Sequence, residues 1–538
     1  MSQPRSPGAI RSSIDPCQIA TLPAVPPTPE RIGSSQRKVD GSVNPQQETP
    51  SPQTPDFPIV IIGTGFAGIG MAIQLKKAGI LSFSMFEREA EVGGTWRDNT
   101  YPGCACDVPS HVYSFSFEPN PNWNRAFAPF DEIQQYLLDC VEKYGLRKHM
   151  RFNTAITNAR FDEDEGLWQL ETSTGESLSA RFVVSGVGGL VDPAYPDIKG
   201  MEKFTGEIFH TARWNHDCDL RGKDVAVIGT GASAIQAVPA IAPEVGKLSV
   251  FQRTPHWIMP KYDRAFSESR KRFFSRHGLL HKLYRWLLFW LSEVMGPIVF
   301  LDSPLSKIGE KGSRLHLKNC VKDPELRKKL TPDFQFGCKR VLISDDYWPA
   351  FSRDNVELVT DGIAQITEDG VETVDGRLHP ADVIVLATGF ALGLANAPFS
   401  ITGLGGRSLD EVWKDGAVAY KGVTVHGFPN WFIMMGPNTG PGHTSVLVYT
   451  ERQIGYALQA IRKIIGLDLK HVDVHQEVQD RYNEKIQKRM KYTAWTSGCN
   501  SWYLNPDGSN HALFPGFASE YCLSMRKFKP TEYNLVRF

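Results

Sequence analysis

Apolar runs separated by glycine-rich turns divide the chain into two similar units. Residues 58–89 contain an apolar run, the turn GTGFAG, an amphipathic helix pattern and a second apolar run. Residues 223–255 repeat this order around the turn GTGASA. An apolar strand, a glycine turn and a helix in this order are typical of the βαβ unit that binds dinucleotides. The pattern therefore predicts an α/β protein with two Rossmann-like dinucleotide-binding domains.

Two later apolar runs suggest that the first domain is discontinuous. Residues 382–390 and 431–443 each predict a strand that ends in a turn of small residues, and we expect both to complete the early domain. Residues 1–56 are rich in Pro, Ser, Gln and Thr, which predicts a disordered tail. The predicted division is a tail at 1–56, a first domain at 57–200 and 385–538, and a second domain at 201–384 with a helical insertion at about 265–335.

One long apolar segment, residues 279–301, resembles a membrane span. Lys282, Arg285 and Glu293 interrupt it, so its uninterrupted apolar run is shorter than the ~20 residues that a span needs. The pattern favours a buried or capping amphipathic helix. A helix that lies on a membrane surface is the alternative, and a membrane is not an expected partner.

Composition narrows the class of function. The 538 residues include 59 Lys and Arg and 59 Asp and Glu, so no net basic charge indicates a nucleic-acid partner. Nine cysteines without a CxxC pair predict thiols in a reducing compartment rather than a disulfide framework. Cys104 and Cys106 lack the His/Cys partners of a metal site, so no metal is expected. With no secretory apolar region, these features predict a cytoplasmic protein whose oligomeric state the sequence does not indicate.

The first glycine turn has the spacing of a dinucleotide site. Gly63, Gly65 and Gly68 form GxGxxG, and Glu87 follows 24 positions after Gly63. The glycines permit a tight turn and close approach to a pyrophosphate at a helix N-terminus. Glu87 is placed to accept hydrogen bonds from ribose hydroxyls.

The second turn differs at the position of the acid. Gly229, Gly231 and Ala234 form the turn, and Arg253 stands 24 positions after Gly229. A guanidinium binds a 2′-phosphate that a carboxylate would repel. Arg253, with the hydroxyl of Thr254, therefore favours NADP over NAD.

Residues 204–214, FTGEIFHTARW, follow neither a helical nor a strand period. Together with EVGGTW at 91–96 and ATGF at 387–390, this segment resembles the flavoprotein monooxygenases with two dinucleotide domains, and among them the type I Baeyer–Villiger monooxygenases. The matching fingerprint residues are Phe204, Gly206, His210 and Trp214. Asn215 departs from the Pro or Asp that is usual there. The resemblance covers about residues 57–538, and it implies that the fingerprint is a linker that anchors two domains as they shift.

The resemblance also implies two cofactors, FAD and NADPH, and their contacts. For FAD it implies Gly63, Gly65, Gly68, Glu87, Thr95, Trp96, Arg97, Asp98, Asp107, Val108 and Tyr113. For NADP it implies Ala105, Cys106, Gly229, Thr230, Gly231, Ala232, Ser233, Ala234, Ile235, Arg253, Thr254, Lys339, Arg340 and Trp502.

The same resemblance implies a reaction in which O2 and NADPH convert a ketone to an ester or lactone, with a place in secondary metabolism. Arg340 would stabilise the negative charge that develops, and Asp107 would orient Arg340. Trp502 would lie on a loop that closes over NADP.

Three other functions are compatible with part of the sequence. A flavin monooxygenase that oxygenates nitrogen or sulfur shares the cofactors but does not need the Asp–Arg pair. A pyridine nucleotide–disulfide reductase needs a CxxxxC pair, which the chain lacks. A non-catalytic nucleotide-binding scaffold would retain the turns without turnover.

Overall fold

A computed structural model describes residues 54–391, 399–499, 501–505 and 507–538. Twenty strands and thirteen α-helices are present in this part of the chain. The strands are β1 Phe57–Ile62, β2 Ser84–Phe86, β3 Met150–Arg151, β4 Ile156–Asp162, β5 Leu167–Thr172, β6 Ser177–Ser185, β7 Glu207–His210, β8 Asp224–Ile228, β9 Lys247–Phe251, β10 Ile258–Met259, β11 Leu342–Ile343, β12 Val356–Val359, β13 Ile363–Thr367, β14 Gly370–Thr373, β15 Leu378–Pro380, β16 Val383–Leu386, β17 Ser400–Thr402, β18 Trp431–Ile433, β19 Leu469–Val474 and β20 Tyr533–Arg537.

The α-helices connect or cover these strands. They are α1 Phe66–Lys77, α2 Thr95–Asp98, α3 Phe130–Lys143, α4 Ala234–Ile241, α5 Glu268–Arg276, α6 Gly278–Phe300, α7 Ser306–Cys320, α8 Pro324–Lys329, α9 Tyr347–Ala350, α10 Leu409–Trp413, α11 Val446–Gly466, α12 Gln476–Met490 and α13 Ala518–Ser524.

The first sheet has eight strands in the order β17-β4-β5-β6-β1-β2-β3, with β18 also paired to β6. β1 pairs in parallel with β2 and β6, and its last four residues are buried because helices such as α1 cover the sheet. Trp431 of β18 lies opposite Val183, so this strand belongs to the same sheet as β1 and β6. The predicted tail covers residues 1–56. Its residues 1–53 lie outside the part of the chain that the structure describes. Asp56 belongs to the fold, because its carboxylate accepts from the Ser179 backbone N–H at 2.7 Å.

The second sheet has five parallel strands in the order β12-β9-β8-β16-β7. β16 lies between β8 and β7, with Val385 opposite both Val227 and Phe209. The strand predicted at 382–390 therefore exists, but its assignment to the first domain is wrong. The boundary of the second domain moves from residue 384 to the end of β16.

Four helices, α5 to α8, lie between β10 and β11, at residues 268–329. The prediction of a buried helix for 279–301 is wrong for most of α6, and the alternative of a capping helix stays a prediction. Only His281, Phe289, Glu293, Gly296 and Phe300 are buried on this helix. The body of the protein covers one narrow side of α6, and its apolar positions continue around the side that faces outward.

Candidate functional site

In the first glycine turn, Gly63 and Gly68 are closely packed, whereas the space beside Gly65 is open. Gly63 has a φ of +91°, and a Cβ on Gly68 would lie 1.9 Å from the Gly63 carbonyl oxygen. A Cβ on Gly65 would have no neighbour closer than 3.9 Å, and the nearest atoms belong to Gly93 and Gly94. Gly65 is also the N-cap of α1. The open backbone at a helix N-terminus is the geometry that accepts a pyrophosphate.

Glu87 follows β2 and is held by the same turn. Its Oε2 accepts from the Thr64 backbone N–H at 3.0 Å and from the Thr64 hydroxyl at 2.6 Å. Its Oε1 lies 3.1 Å from an Arg97 guanidinium nitrogen. These contacts fix a buried carboxylate at the carboxyl end of a parallel strand, where dinucleotide folds hold a ribose.

The other predicted FAD residues meet at this edge of the first sheet. α2 presents Thr95, Trp96, Arg97 and Asp98, and the loop after it carries Asp107, Val108 and Tyr113. The Trp96 indole N–H donates to the Tyr113 hydroxyl at 3.1 Å, and both rings are in edge contact. The structure thus brings α2 and the 107–113 loop together.

The second glycine turn repeats the arrangement in the second sheet. Gly229 has a φ of +116°, and a Cβ there would lie 2.4 Å from the Ala387 carbonyl oxygen at the end of β16. Gly231 has no neighbour within 4 Å of an added Cβ. The Thr230 hydroxyl donates to the Thr254 carbonyl at 3.0 Å, which ties the turn to the segment after β9. Ala232 and Ser233 precede α4, which begins with Ala234 and Ile235.

Two cations adjoin this second turn. Burial lowers the pKa of Lys339, and the nearby charge of Arg253 lowers it further. Within the part of the chain that the structure describes, Arg253 makes no salt bridge or side-chain hydrogen bond. The arrangement leaves the Arg253 guanidinium available to an anion.

Arg340 and Asp107 form an ion pair between the two units. An Arg340 guanidinium nitrogen lies 2.5 Å from Asp107 Oδ2, and the Arg340 side chain is half-exposed. The charge of Asp107 raises the pKa of Arg340, while burial opposes this shift. Tyr503, Cys106 and Tyr113 also act on this pKa. The predicted catalytic pair is therefore in contact and keeps its cation beside both groups of predicted cofactor residues.

The fingerprint segment joins the two sheets. A Cβ on Gly206 would lie 2.2 Å from the Asp382 carbonyl oxygen, so only glycine fits where β7 begins. His210 ends β7, its Nδ1 accepts from the Ala212 N–H at 3.0 Å, and burial lowers its pKa to about 4. Trp214 packs against the main core clusters of both units, and Phe204 packs on the second sheet. These contacts tie the segment to both units, and its role as a linker between shifting domains stays a prediction.

Two residues near the site were not predicted. Gln236 of α4 donates to the Ala105 carbonyl at 2.9 Å and accepts from the Tyr101 hydroxyl at 2.9 Å, so it bridges the units. Tyr503 is buried close to Arg340, whereas its neighbour Trp502 is about half-exposed. The position of Gln236 two residues after the second turn was the only indication in the sequence.

The prediction that all cysteines are free thiols is wrong for one pair. Cys338 and Cys499 form a disulfide across 161 residues. This bond ties the segment of Lys339 and Arg340 to the loop before Trp502. Among the described residues no group of His, Cys, Asp and Glu could hold a metal ion.

Comparisons with known proteins decide the family. Residues 60–269 match a family model described as pyridine nucleotide-disulphide oxidoreductase. A Baeyer-Villiger monooxygenase from Pseudomonas aeruginosa is 47% identical over 89% of this chain and 91% of its own length. A second one, from Streptomyces coelicolor, is 42% identical over 89% and 92%. The chain belongs to the Baeyer–Villiger monooxygenases.

A solved structure supports the same membership. The complex of OTEMO with FAD and NADP has a TM-score of 0.81 and 28% identity, and it matches 90% of this chain and all of that one. The predicted family and the fold of two dinucleotide domains are confirmed for this Baeyer–Villiger monooxygenase. The disulphide oxidoreductase model covers both glycine turns but ends before β11 to β16 of the second unit. The match to the monooxygenases extends across both units.

Proposed function

We propose that this Baeyer–Villiger monooxygenase inserts one oxygen atom of O2 next to a ketone carbonyl. The overall change converts ketone, O2, NADPH and a proton to an ester or lactone, NADP+ and water. The observation that carries the proposal is the Arg340–Asp107 ion pair, 2.5 Å long, which links the two units. When bound, FAD supplies the oxygen chemistry and NADPH supplies the reducing electrons.

The residues of this chain fit both cofactors. The open backbone at Gly65 and at Gly231 leaves room for a pyrophosphate on each unit. Glu87 lies at the ribose position of the first unit, and Arg253 and Lys339 offer charge to a 2′-phosphate on the second. We assign FAD to the first unit and NADPH to the second on this basis.

The task of Arg340 is to hold a positive charge where negative charge develops on oxygen. Arginine keeps its proton when it is partly buried, and Asp107 raises its pKa further. A cation that is already in place stabilises the transition state without reorganisation at the moment of reaction. Asp107 also limits the rotation of the guanidinium, since a carboxylate contact fixes its plane.

The loop of Trp502 and Tyr503 would limit water at this charge. Tyr503 is buried beside Arg340, and burial raises its pKa, so its hydroxyl stays protonated. We assign to this loop the exclusion of water from the site. A flavin monooxygenase that acts on nitrogen or sulfur would not need the Asp107–Arg340 pair, so the pair favours a ketone. The cytoplasmic location and the role in secondary metabolism remain predictions from the sequence.

Replacement of Arg340 tests the proposal. Arg340→Ala should retain FAD yet lower ester formation by ~10²–10³-fold, because one preplaced donor to a developing anion is lost. Arg340→Lys should restore little, since lysine lacks the planar fork and loses its proton more readily. NADPH oxidation should continue slowly and release hydrogen peroxide. The measurement is mass spectrometry of products from a ketone panel, with FAD absorbance as the check on folding.

Arg377→Ala is the matched control, because Arg377 is also half-exposed and lies 2.7 Å from a carboxylate of Glu357. This variant should form ester at the parent rate. Ester formation by Arg340→Ala at a similar rate would mean that the reaction uses another group. The nitrogen and sulfur chemistry would be favoured by two results together. The parent would leave every ketone unchanged, and Arg340→Ala would oxygenate a sulfide at the parent rate.

A further inference from the structure

Helix α6 exposes an apolar face that a soluble surface helix does not normally show. Every exposed position of α6 except Gly278 and Lys282 holds a large apolar residue. Leu279 is 80% exposed and Val294 is 71% exposed. We call Leu279, Leu283, Leu287, Leu291 and Val294 the apolar face of α6. They recur every three or four residues, so they share one side of the helix. Exposed apolar surfaces of this kind mark binding sites.

The opposite side of α6 is fixed to the body of the protein. Glu293 accepts from the His443 ring at 2.8 Å and from the backbone N–H groups of Ala518 and Ser519 at 3.0 Å. An Arg285 guanidinium nitrogen donates to the His111 carbonyl at 2.6 Å. By length and composition α6 could cross a bilayer. A crossing would strip these charged groups of their partners in hydrocarbon, which is costly. The helix is therefore suited to lie along a surface rather than to span one.

Basic side chains are exposed on the helix next to α6. α7 packs beside α6 and exposes Lys307, Lys311, Arg314 and Lys318, which are spaced four, three and four residues apart. Ile308 and Leu315 are exposed on the same helix. From 268 to 320 the chain has ten Lys and Arg but four Asp and Glu, and one of these acids, Glu293, is buried. The rest of the chain has 49 Lys and Arg against 55 Asp and Glu, so positive charge is concentrated around α6.

We propose that the α5–α7 region docks the protein on an anionic lipid surface, with the apolar face of α6 in the interface. Apolar side chains bordered by Lys and Arg are the composition of helices that lie in the plane of a membrane. Anionic headgroups attract the basic flanks by about 1 kcal/mol for each Lys or Arg at the surface. A second copy of the chain suits the region less well, because a two-fold contact would bring like charges together. This replaces the expectation from sequence that a membrane is not a partner, and it does not depend on the proposed reaction.

Vesicle flotation of the FAD-loaded full chain tests the proposal. The protein should float with phosphatidylcholine vesicles that contain phosphatidylserine, float less with phosphatidylcholine alone, and dissociate as salt is raised. The variant Leu283→Glu/Leu287→Glu/Leu291→Glu should reduce the bound fraction at least about tenfold, because three charges would enter the interface. Lys307→Gln/Lys311→Gln/Lys318→Gln should remove most of the dependence on phosphatidylserine.

A matched control places the same charges on other exposed apolar positions. Leu81→Glu/Val374→Glu/Leu523→Glu changes three side chains that are 61%, 70% and 54% exposed. It should bind vesicles like the parent, and FAD absorbance should show that both triple variants are folded. Equal vesicle binding by the two triple variants would overturn the proposal.

Two other occupants of the apolar face would give different results. If the parent binds no vesicles but dimerises, and Leu283→Glu/Leu287→Glu/Leu291→Glu is monomeric by analytical ultracentrifugation, the face joins two copies and the lipid proposal is wrong. If only a chain that lacks residues 1–50 binds vesicles, the N-terminal segment occupies the face in the full chain. That result would also overturn the proposal.

Discussion

Two arginines near the second unit serve different purposes because their partners differ. Arg340 has Asp107 at 2.5 Å, so its direction is set before any ligand arrives. Arg253 has no salt bridge in the described residues, and its charge already lowers the pKa of Lys339. A pair of neighbouring cations costs free energy until an anion binds between them. The same guanidinium group is thus suited to orientation at one position and to anion binding at the other.

The second role predicts a change in cofactor preference. Arg253→Ala should weaken NADPH binding by ~1.5–3 kcal/mol, roughly ten- to a hundredfold, because a charge-assisted contact is lost. NADH, which lacks the 2′-phosphate, should bind nearly as before. Dissociation constants for both nucleotides measure the effect, and Arg221→Ala, at an exposed arginine paired with Asp219, is the control. An equal loss for both nucleotides would show that Arg253 does not contact the phosphate.

At the scale of single elements, a close backbone contact fixes the position of the fingerprint segment where it enters β7. β7 begins directly after Gly206 and pairs with β16, so the Asp382 carbonyl lies against the glycine. A backbone atom cannot move aside as a flexible side chain can. The glycine is therefore required by packing between two parallel strands.

Gly206→Ala should destabilise the second unit by ~1–3 kcal/mol, because the new methyl group forces β7 away from its neighbour. In a domain of this size, each kcal/mol should lower Tm by about 2–4 °C. Gly455→Ala, in the middle of α11, is the control, and its expected change in stability has the opposite sign. No atom lies within 4 Å of a Cβ there, and alanine should stabilise the helix by roughly 0.5–1 kcal/mol. Thermal unfolding of both variants would decide, and an unchanged Tm for Gly206→Ala would mean that the strands yield easily.

β16 illustrates which part of the fold could be predicted. All four residues of VIVL are buried, and such an apolar run predicts a strand. It contains no information about its neighbours, because a parallel strand that is covered on both faces is apolar in either sheet. The α6 helix was predicted from its composition alone. The exposure of its side chains could not be predicted, because exposure depends on which elements pack against the helix.

The candidate site divides in the same way. The glycine turns, Glu87 and Arg253 could be predicted because turn geometry and residue spacing are local. The Arg340–Asp107 contact spans 233 residues and was expected only from the family resemblance. Gln236 and Tyr503 contact segments far away in the sequence, and neither belongs to a motif that we used.

At the scale of the whole molecule, buried neutral histidines lie at several junctions. Burial lowers the pKa of His111 to about 3 and those of His210, His256 and His281 to about 4. His111 and His281 share a contact of 2.8 Å between the first unit and α6, and His210 lies in the linker. The unfolded chain would bind protons at these rings near pH 6.5, while the folded chain would not. The folded state is therefore favoured above that pH and loses this advantage as the pH falls.

This linkage predicts that the free energy of unfolding falls steadily between about pH 6.5 and pH 4. Each histidine contributes ~1.4 kcal/mol for every unit by which its pKa is lowered, so the four rings together should lower the free energy of unfolding by on the order of 10 kcal/mol. His281→Gln should make the profile shallower, because one proton fewer is taken up on unfolding. His277→Gln, at the exposed N-cap of the same helix, should leave the slope unchanged. Urea unfolding with excess FAD across this pH range gives the comparison. A slope that the two variants reduce equally would show that burial of His281 does not cause the acid lability.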